Sequence, residues 1–260
     1  MFHYLVTIAY DGSDFSGWAR QPQHFTVQGY IESSLNKVFK SLQTKINILA
    51  VSRTDKGVHA RDQKFTLRLN LFFSQKRLFN LLDKIIGKYI QVKKIQRVNA
   101  NFHPLRHVIS KEYRYFINTA KINIFQKKYC WQYNLPLEVS KLNTIIQIFQ
   151  GQHNFFNFCY CRTKDQSKTN TIRNIDSLKI IQRRKLIIIS IKGRSFLRYQ
   201  IRTLVGETIS CYEGQQSIKD LQTKLLNWDK SNYKYRYIAP PSGLFLWKVN
   251  YEIKLFKNNI

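Results

Sequence analysis

The stretch SRTDKGVHARDQKF, Ser52 to Phe65, places one carboxylate, Asp55, in a tight turn beside Arg53 and just before Gly57. An apolar run, Ile46 to Val51, leads in, and an extended run, Lys64 to Leu69, leads out. Both read as strands, so the acid sits on a connection between strands, where loops present reactive groups and strands hold them still. Two readings of Asp55 stand side by side. It is a catalytic carboxylate held by Arg53 or another arginine, or a turn residue accepting backbone hydrogen bonds, as D-x-G turns do. His59, between Val58 and Ala60, is a base or a satisfied structural histidine.

Working outward, Phe2 to Tyr10 alternates apolar and polar residues and predicts a strand. A loop rich in Gly and Asp follows, including YDGSDFSG (Tyr10–Gly17). Thr26 is placed to cap a helix from Val27 to Lys40, and Ser74 a helix to Ile86 that Gly87 stops. Tyr89 to Val98 reads as a strand. The order is β-α-β-β-α-β.

A second, similar half begins near Phe102. Ser110 to Asn118 predicts a strand with Tyr113, Tyr115 and Ile117 on one face. Ser140 caps a helix ending before Gly151. Ile172–Ile181 and Leu186–Lys192 form a hairpin around the polar turn Gln182–Lys185. Phe196 to Tyr212 is helical, Ser217 and Asp220 open a short helix to Trp228 with a capping box, and Leu244 to Tyr251 is a final strand. The fold class is α+β: two halves, residues 1–103 and 104–260, with mainly antiparallel sheets and flanking helices. No Gly/Ser- or Pro-rich linker separates them.

The bulk composition narrows the partners. The 260 residues carry 43 Lys and Arg against 15 Asp and Glu, a formal charge of +28. So strong a field repels itself unless an anionic partner is present, and nucleic acid fits through counterion release. A bias toward Lys, Asn and Ile accounts for part of the lysine count but little of the arginine clustering. Hydrophobic content of 43% and aromatic content of 14% exclude general disorder. Cys130, Cys159, Cys161 and Cys211 contain no C-x-x-C, which speaks against a zinc site or a redox pair and for a reducing compartment. The first residues lack a charged leader segment, and no apolar run reaches membrane-spanning length. A soluble, cytoplasmic protein without a membrane partner is expected.

Two further segments carry chemistry. KEYRYF, Lys111 to Phe116, interleaves cations with aromatics, as base stacking with phosphate contact requires, or is an edge strand with one aromatic face in the core. RSFLRYQIRTLVG, Arg194 to Gly206, places Arg198 and Arg202 at i, i+4, one face of a predicted helix. Either arginine suits a catalytic acid or a phosphate; the bland alternative is a buried helix with solvated cations. No phosphate loop, dinucleotide fingerprint, zinc-protease or nucleophile-elbow pattern occurs.

Taken together, the segments resemble the TruA-type tRNA pseudouridine synthases. The matching pieces are YDGSDFSGW (Tyr10–Trp18), TVQGYIESSL (Thr26–Leu35), SRTDKGVHA (Ser52–Ala60), FHPLRHVISKEYRY (Phe102–Tyr115), GQHNFFNFC (Gly151–Cys159), FLRYQIRTLVG (Phe196–Gly206) and APPSGLFLWKVNY (Ala239–Tyr251). They stand in the family's order and span nearly the whole chain. The resemblance implies the pseudouridine synthase fold. It implies that Asp55 is the nucleophile, that Arg202 pairs with it, that Arg53 helps displace the target base, and that Tyr113 stacks beside that base. Lys111 and Arg198 join Tyr113 as substrate contacts. The resemblance also implies no metal, no cofactor, and a homodimer cradling the anticodon arm of tRNA to isomerise uridines at positions 38, 39 and 40. The chain departs from the family at Ala19, at Leu105 with Arg106, and at Tyr199-Gln200, positions that bear on RNA contacts rather than on the reacting group. Two other functions fit the residues less fully: a non-catalytic RNA-binding or ribosome-associated protein, and an acid-dependent hydrolase using Asp55 and His59.

Overall fold

A computed structural model describes residues 1–39, 46–160, 170–227 and 237–256. In chain order the elements are β1 (Phe2–Tyr10), α1 (Val27–Val38), β2 (Leu49–Ala50), β3 (His59–Leu69), α2 (Gln75–Ile86), β4 (Ile90–Arg97), β5 (Val108–Asn118) and β6 (Trp131–Gln132). They continue with α3 (Val139–Ile146), β7 (Gly151–Asn154), β8 (Ile172–Arg183), β9 (Leu186–Gly193), α4 (Gln200–Tyr212), α5 (Ile218–Leu226) and β10 (Leu244–Tyr251). The fold is α+β, and most strand pairs are antiparallel.

The chain forms two compact units, Met1–Lys111 with Phe245–Ile260, and Glu112–Leu244. This division differs from a split at residue 103 in two ways. The chain passes between units inside β5, in keeping with the missing linker, and β10 returns to the first unit. That return is a long-range pairing, which local sequence does not encode.

In the first unit β1 lies between β4 and β3, and β3 is followed by β10. Tyr4, Leu5, Val6 and Ile8 are buried, so both faces of β1 are covered, and its two edges are paired by β3 and β4. β10 runs parallel to β3, with Phe245 opposite His59 and Leu246 opposite Ala60. Thr26 caps α1 by accepting from the Gly29 amide, and Ser74 caps α2 from the Arg77 amide; each such cap is worth roughly 1 kcal/mol. Gly87 ends α2 with φ −60°, so the helix stops there without a left-handed residue.

In the second unit β5 is followed by β9, β8 and β7, and β6 pairs with β5 in parallel. The β8–β9 hairpin closes with Arg183 opposite Leu186 across a turn in which Arg184 has φ 55°. Ile187, Ile189 and Ile191 of β9 are buried, as are Leu204 and Val205 of α4 and Phe149 and Phe158 of the connecting segments. The Ser217–Asp220 capping box opens α5; α5 ends at Leu226, and Trp228 lies outside the described residues. Ser140 is not a cap. α3 begins at Val139 with Glu138 at the cap position, and the Ser140 hydroxyl donates to the Glu138 carboxylate. None of the described helices is long and apolar enough to cross a membrane.

Candidate active site

The Asp55 turn is anchored on both flanks. On the near side, the Val51 amide donates to the Lys64 carbonyl (2.9 Å), and Gln63, fully buried, donates to the Ser52 carbonyl (2.8 Å). Lys111 is buried, and its ammonium donates to the Val51 carbonyl at 2.7 Å. On the far side, Gly57 takes φ +77° and the Val58 amide closes the turn onto the Asp55 carbonyl (3.2 Å). A left-handed residue there strongly favours glycine. Arg53 and Lys56 are exposed, Asp55 is half-buried, and Thr54 between them is buried.

The loop Tyr10–Trp18 backs this turn. The Trp18 amide donates to the Thr54 carbonyl (3.0 Å), and the Tyr10 hydroxyl meets the Thr54 hydroxyl at 2.8 Å. Burial pushes the Tyr10 phenol up to about 12, partly offset by its contacts with Thr54 and Gln63, so the ring stays neutral. Two glycines permit the approach. A Cβ on Gly12 would stand 2.1 Å from the Val58 carbonyl oxygen, and one on Gly17, whose φ is +96°, 3.0 Å from the Thr54 oxygen. YDGSDFSGW is thus the floor beneath Asp55. The signal that could have shown this is the spacing of its glycines, each facing a carbonyl of the neighbouring turn.

His59 is buried and stacks on Phe245 at 4.5 Å and 20°. Its Nδ1 lies 3.0 Å from the Gly12 amide and 3.1 Å from the Asp11 carboxylate. One ring nitrogen cannot accept from the first and donate to the second. The backbone amide is a fixed donor, so we assign Nδ1 as acceptor and the ring proton to Nε2. His59 therefore ties the Gly12 loop to β3 and β10. Nearby, a shallow cleft is lined by Tyr10, Asp11, Arg61, Tyr89, Phe245 and Trp247, and the Arg61 guanidinium lies 4.2 Å over the Trp247 ring.

The remaining expected site residues belong to the second unit. Tyr113 and Tyr115 share the buried face of β5, and Tyr113 meets the Phe196 ring edge-on at 5.4 Å. The Tyr115 hydroxyl donates to the Pro240 carbonyl (2.7 Å). Burial raises its pKa well above the usual phenol value, and the charge of Arg202 opposes that rise. Arg202 exchanges two hydrogen bonds with Ala239: its Nε donates to the Ala239 carbonyl (2.8 Å), and the Ala239 amide donates to the Arg202 carbonyl (3.0 Å).

α4 begins at Gln200, four residues later than the sequence pattern suggests, because Tyr199 takes the left-handed conformation with φ 62°. Arg198 therefore precedes the helix, and its relation to Arg202 is not that of i, i+4 helical neighbours. The Tyr199 ring brings them together, since both guanidiniums lie 5.1 Å from its centroid.

With this geometry in view, the relatives are informative. A family profile described as "tRNA pseudouridine synthase" matches residues 145–252. Curated proteins named tRNA pseudouridine synthase A match almost end to end. That of Mesoplasma florum is 36% identical over 97% of this chain and 100% of its own length. That of Spiroplasma kunkelii is 37% identical over 96% and 95%, and that of Listeria welshimeri 32% over 97% and 100%. The chain belongs to the tRNA pseudouridine synthase A family. It is an isomerase that acts on uridine in tRNA. Within this tRNA pseudouridine synthase family assignment, the residues that the motifs single out divide between the units: Arg53, Asp55 and Lys111 in the first, Tyr113, Arg198 and Arg202 in the second.

Proposed function

We propose that the chain isomerises uridines 38, 39 and 40 in the anticodon arm of tRNA, with Asp55 as the reacting carboxylate. The observation that carries this reading is the construction of the Asp55 turn, an acid held by buried backbone contacts on two flanks. Such pre-organisation suits a group that must meet a carbon centre at fixed geometry. The reaction breaks the N1–C1′ bond, turns the base and forms C5–C1′. The proton leaving C5 is matched by the one gained at N1, so the product is an isomer and no electron is transferred.

Asp55 serves by attack on C1′ or by taking the C2′ proton to give a glycal, and either route needs it ionised. Arg202 is the cation that keeps it so. Tyr113 offers its ring to a base drawn out of the stack, a step costing a few kcal/mol. Arg53 stands exposed beside Asp55 for displacement of that base and Arg198 adds a substrate contact, while Lys111, expected from the motif to touch substrate, serves instead as a buried brace on the Val51 carbonyl. A homodimer in the cytoplasm is part of the same reading: the charge of +28 suits an RNA grip larger than one subunit.

Asp55→Asn tests the chemistry, since it removes the charge without opening a cavity. Tritium release from uridine-labelled tRNA should fall to background while tRNA affinity stays within about threefold of wild type. Near wild-type release would refute the assignment. Binding without isomerisation by the unaltered protein would favour an RNA-binding role alone. Chemical mapping of pseudouridine in treated tRNA locates the uridines. Light scattering gives the mass, and a monomer fully active at every concentration would remove the homodimer.

A further inference from the structure

Tyr160, Arg198 and Tyr199 form a three-cornered cluster, a cation set against two aromatic rings that also touch each other. The Arg198 guanidinium lies 4.7 Å over the Tyr160 ring and 5.1 Å over the Tyr199 ring, and the two rings meet at 5.8 Å and 80°. The backbone fixes this arrangement, because the Tyr160 amide donates to the Arg198 carbonyl at 2.9 Å. Tyr199 is held in the left-handed region, a conformation that costs a bulky residue energy and that concentrates at functional sites. Yet the assembly is not core: Tyr160 is 42% exposed and Arg198 is exposed.

A guanidinium seated against two rings is restricted in position, and N–H groups turned away from them can take a phosphate in bidentate fashion. An exposed tyrosine face beside it is a stacking platform for a base. Arg202, sharing the Tyr199 ring at 5.1 Å, adds positive potential at the same corner. We propose that Tyr160, Arg198 and Tyr199 form a binding site for one tRNA nucleotide other than the isomerised uridine, with its phosphate on the Arg198 edge and its base on the exposed ring of Tyr160. The strained backbone at Tyr199 is the device that holds the cation ready. The inference rests on tRNA being the substrate, but not on Asp55 or on which uridines are modified.

The test is the affinity of the full chain for a tRNA transcript, measured from low to moderate salt, for wild type, Arg198→Ala, Arg198→Lys, Tyr160→Phe and Tyr160→Leu. Arg198→Ala should weaken binding roughly 10-fold and make the log–log salt slope shallower by about 0.7–0.9, the share of one phosphate. Arg198→Lys should keep the slope and lose severalfold in affinity, since an ammonium has no planar fork to rest on the rings or to bind in bidentate fashion. Tyr160→Leu should cost roughly 5- to 150-fold, the range for one base–aromatic stack, and Tyr160→Phe almost nothing. Thermal melting of each variant separates lost contacts from lost fold, and Arg198→Lys and Tyr160→Phe keep the test decisive if the harsher variants unfold. Wild-type affinity in Arg198→Ala and Tyr160→Leu, or an unchanged salt slope in Arg198→Ala, would overturn the proposal. Pseudouridine mapped by wild type outside the anticodon arm would instead refute the position assignment, leaving these affinities as they stand.

Discussion

The Asp55 turn and the Arg202 corner are held by different means. Around Asp55 the positioning contacts are mainly backbone: carbonyls of Val51, Ser52 and Thr54 take donors from Lys111, Gln63 and Trp18, and Gly12 and Gly17 let two loops touch main chain to main chain. Around Arg202 rings take a larger share beside its two hydrogen bonds with Ala239: Tyr199 lies beneath two guanidiniums, Phe196 against Tyr113, and Tyr115 reaches the Pro240 carbonyl. A backbone-held group tolerates almost no displacement, because carbonyls cannot move aside alone. A ring-held group can settle, since each cation–ring contact is worth only about 0.5–2 kcal/mol and is weakly directional. The Asp55 turn is therefore held mainly by main-chain contacts, and the Arg202 corner by rings together with main-chain contacts.

The sharpest way to break this comparison is Gly12→Ala. Its Cβ would meet the Val58 carbonyl at 2.1 Å, so one of the two loops must shift. A displacement of about 1 Å near reacting atoms costs on the order of 100-fold in rate. Tritium release should fall by at least that much, with tRNA affinity little changed, and an active variant would show that the floor is softer than argued.

Lys111→Met comes next. It leaves the Val51 carbonyl without its buried donor, at about 1–3 kcal/mol. Isomerisation should drop roughly 10-fold while tRNA affinity stays within about twofold. Affinity falling in step with rate would make Lys111 a substrate contact, as the KEYRYF pattern suggests, rather than a brace for the turn.

The smallest effect belongs to the ring-held side. Tyr115→Phe keeps the packing and removes only the hydrogen bond to Pro240. It should cost about 1 kcal/mol in unfolding free energy and less than about threefold in rate. A loss of rate comparable to that of Gly12→Ala would end the distinction between the two regions.

How much of this was legible in the sequence follows the same divide. β1, α2 between Ser74 and Gly87, the β8–β9 hairpin and the Ser217–Asp220 capping box are specified within a few residues, and they stand where the pattern places them. The motif around Asp55 was legible as a site, but its floor was not: the glycines of YDGSDFSG look like ordinary turn chemistry until the carbonyls they face are known. Tyr199 misled most. FLRYQIRTLVG carries helical periodicity throughout, and nothing local marks the residue that leaves the right-handed region. Ser140 misled because a serine two residues into a helix looks like one just before it. The short strands β6 and β7 and the brevity of β2 are set by pairing with neighbouring strands, which lies beyond the span of a local residue pattern. Lys111 reads as a cation for RNA, and only burial reveals its contact with Val51.

One feature of the first unit bears on the order of synthesis. The Val249 amide of β10 donates to Asp62 of β3 at 2.7 Å across a separation of 187 residues, and Phe245 lies on His59. At about 5–20 residues per second, a ribosome makes that strand roughly 10–40 s after the turn it supports. Throughout that interval the His59–Ala60 end of β3 waits without β10 while the whole second unit is produced. Such long-range pairings slow folding and leave nascent strands open to wrong partners. The turn that carries Asp55 is therefore among the first parts of the chain to be made and among the last to gain its final support.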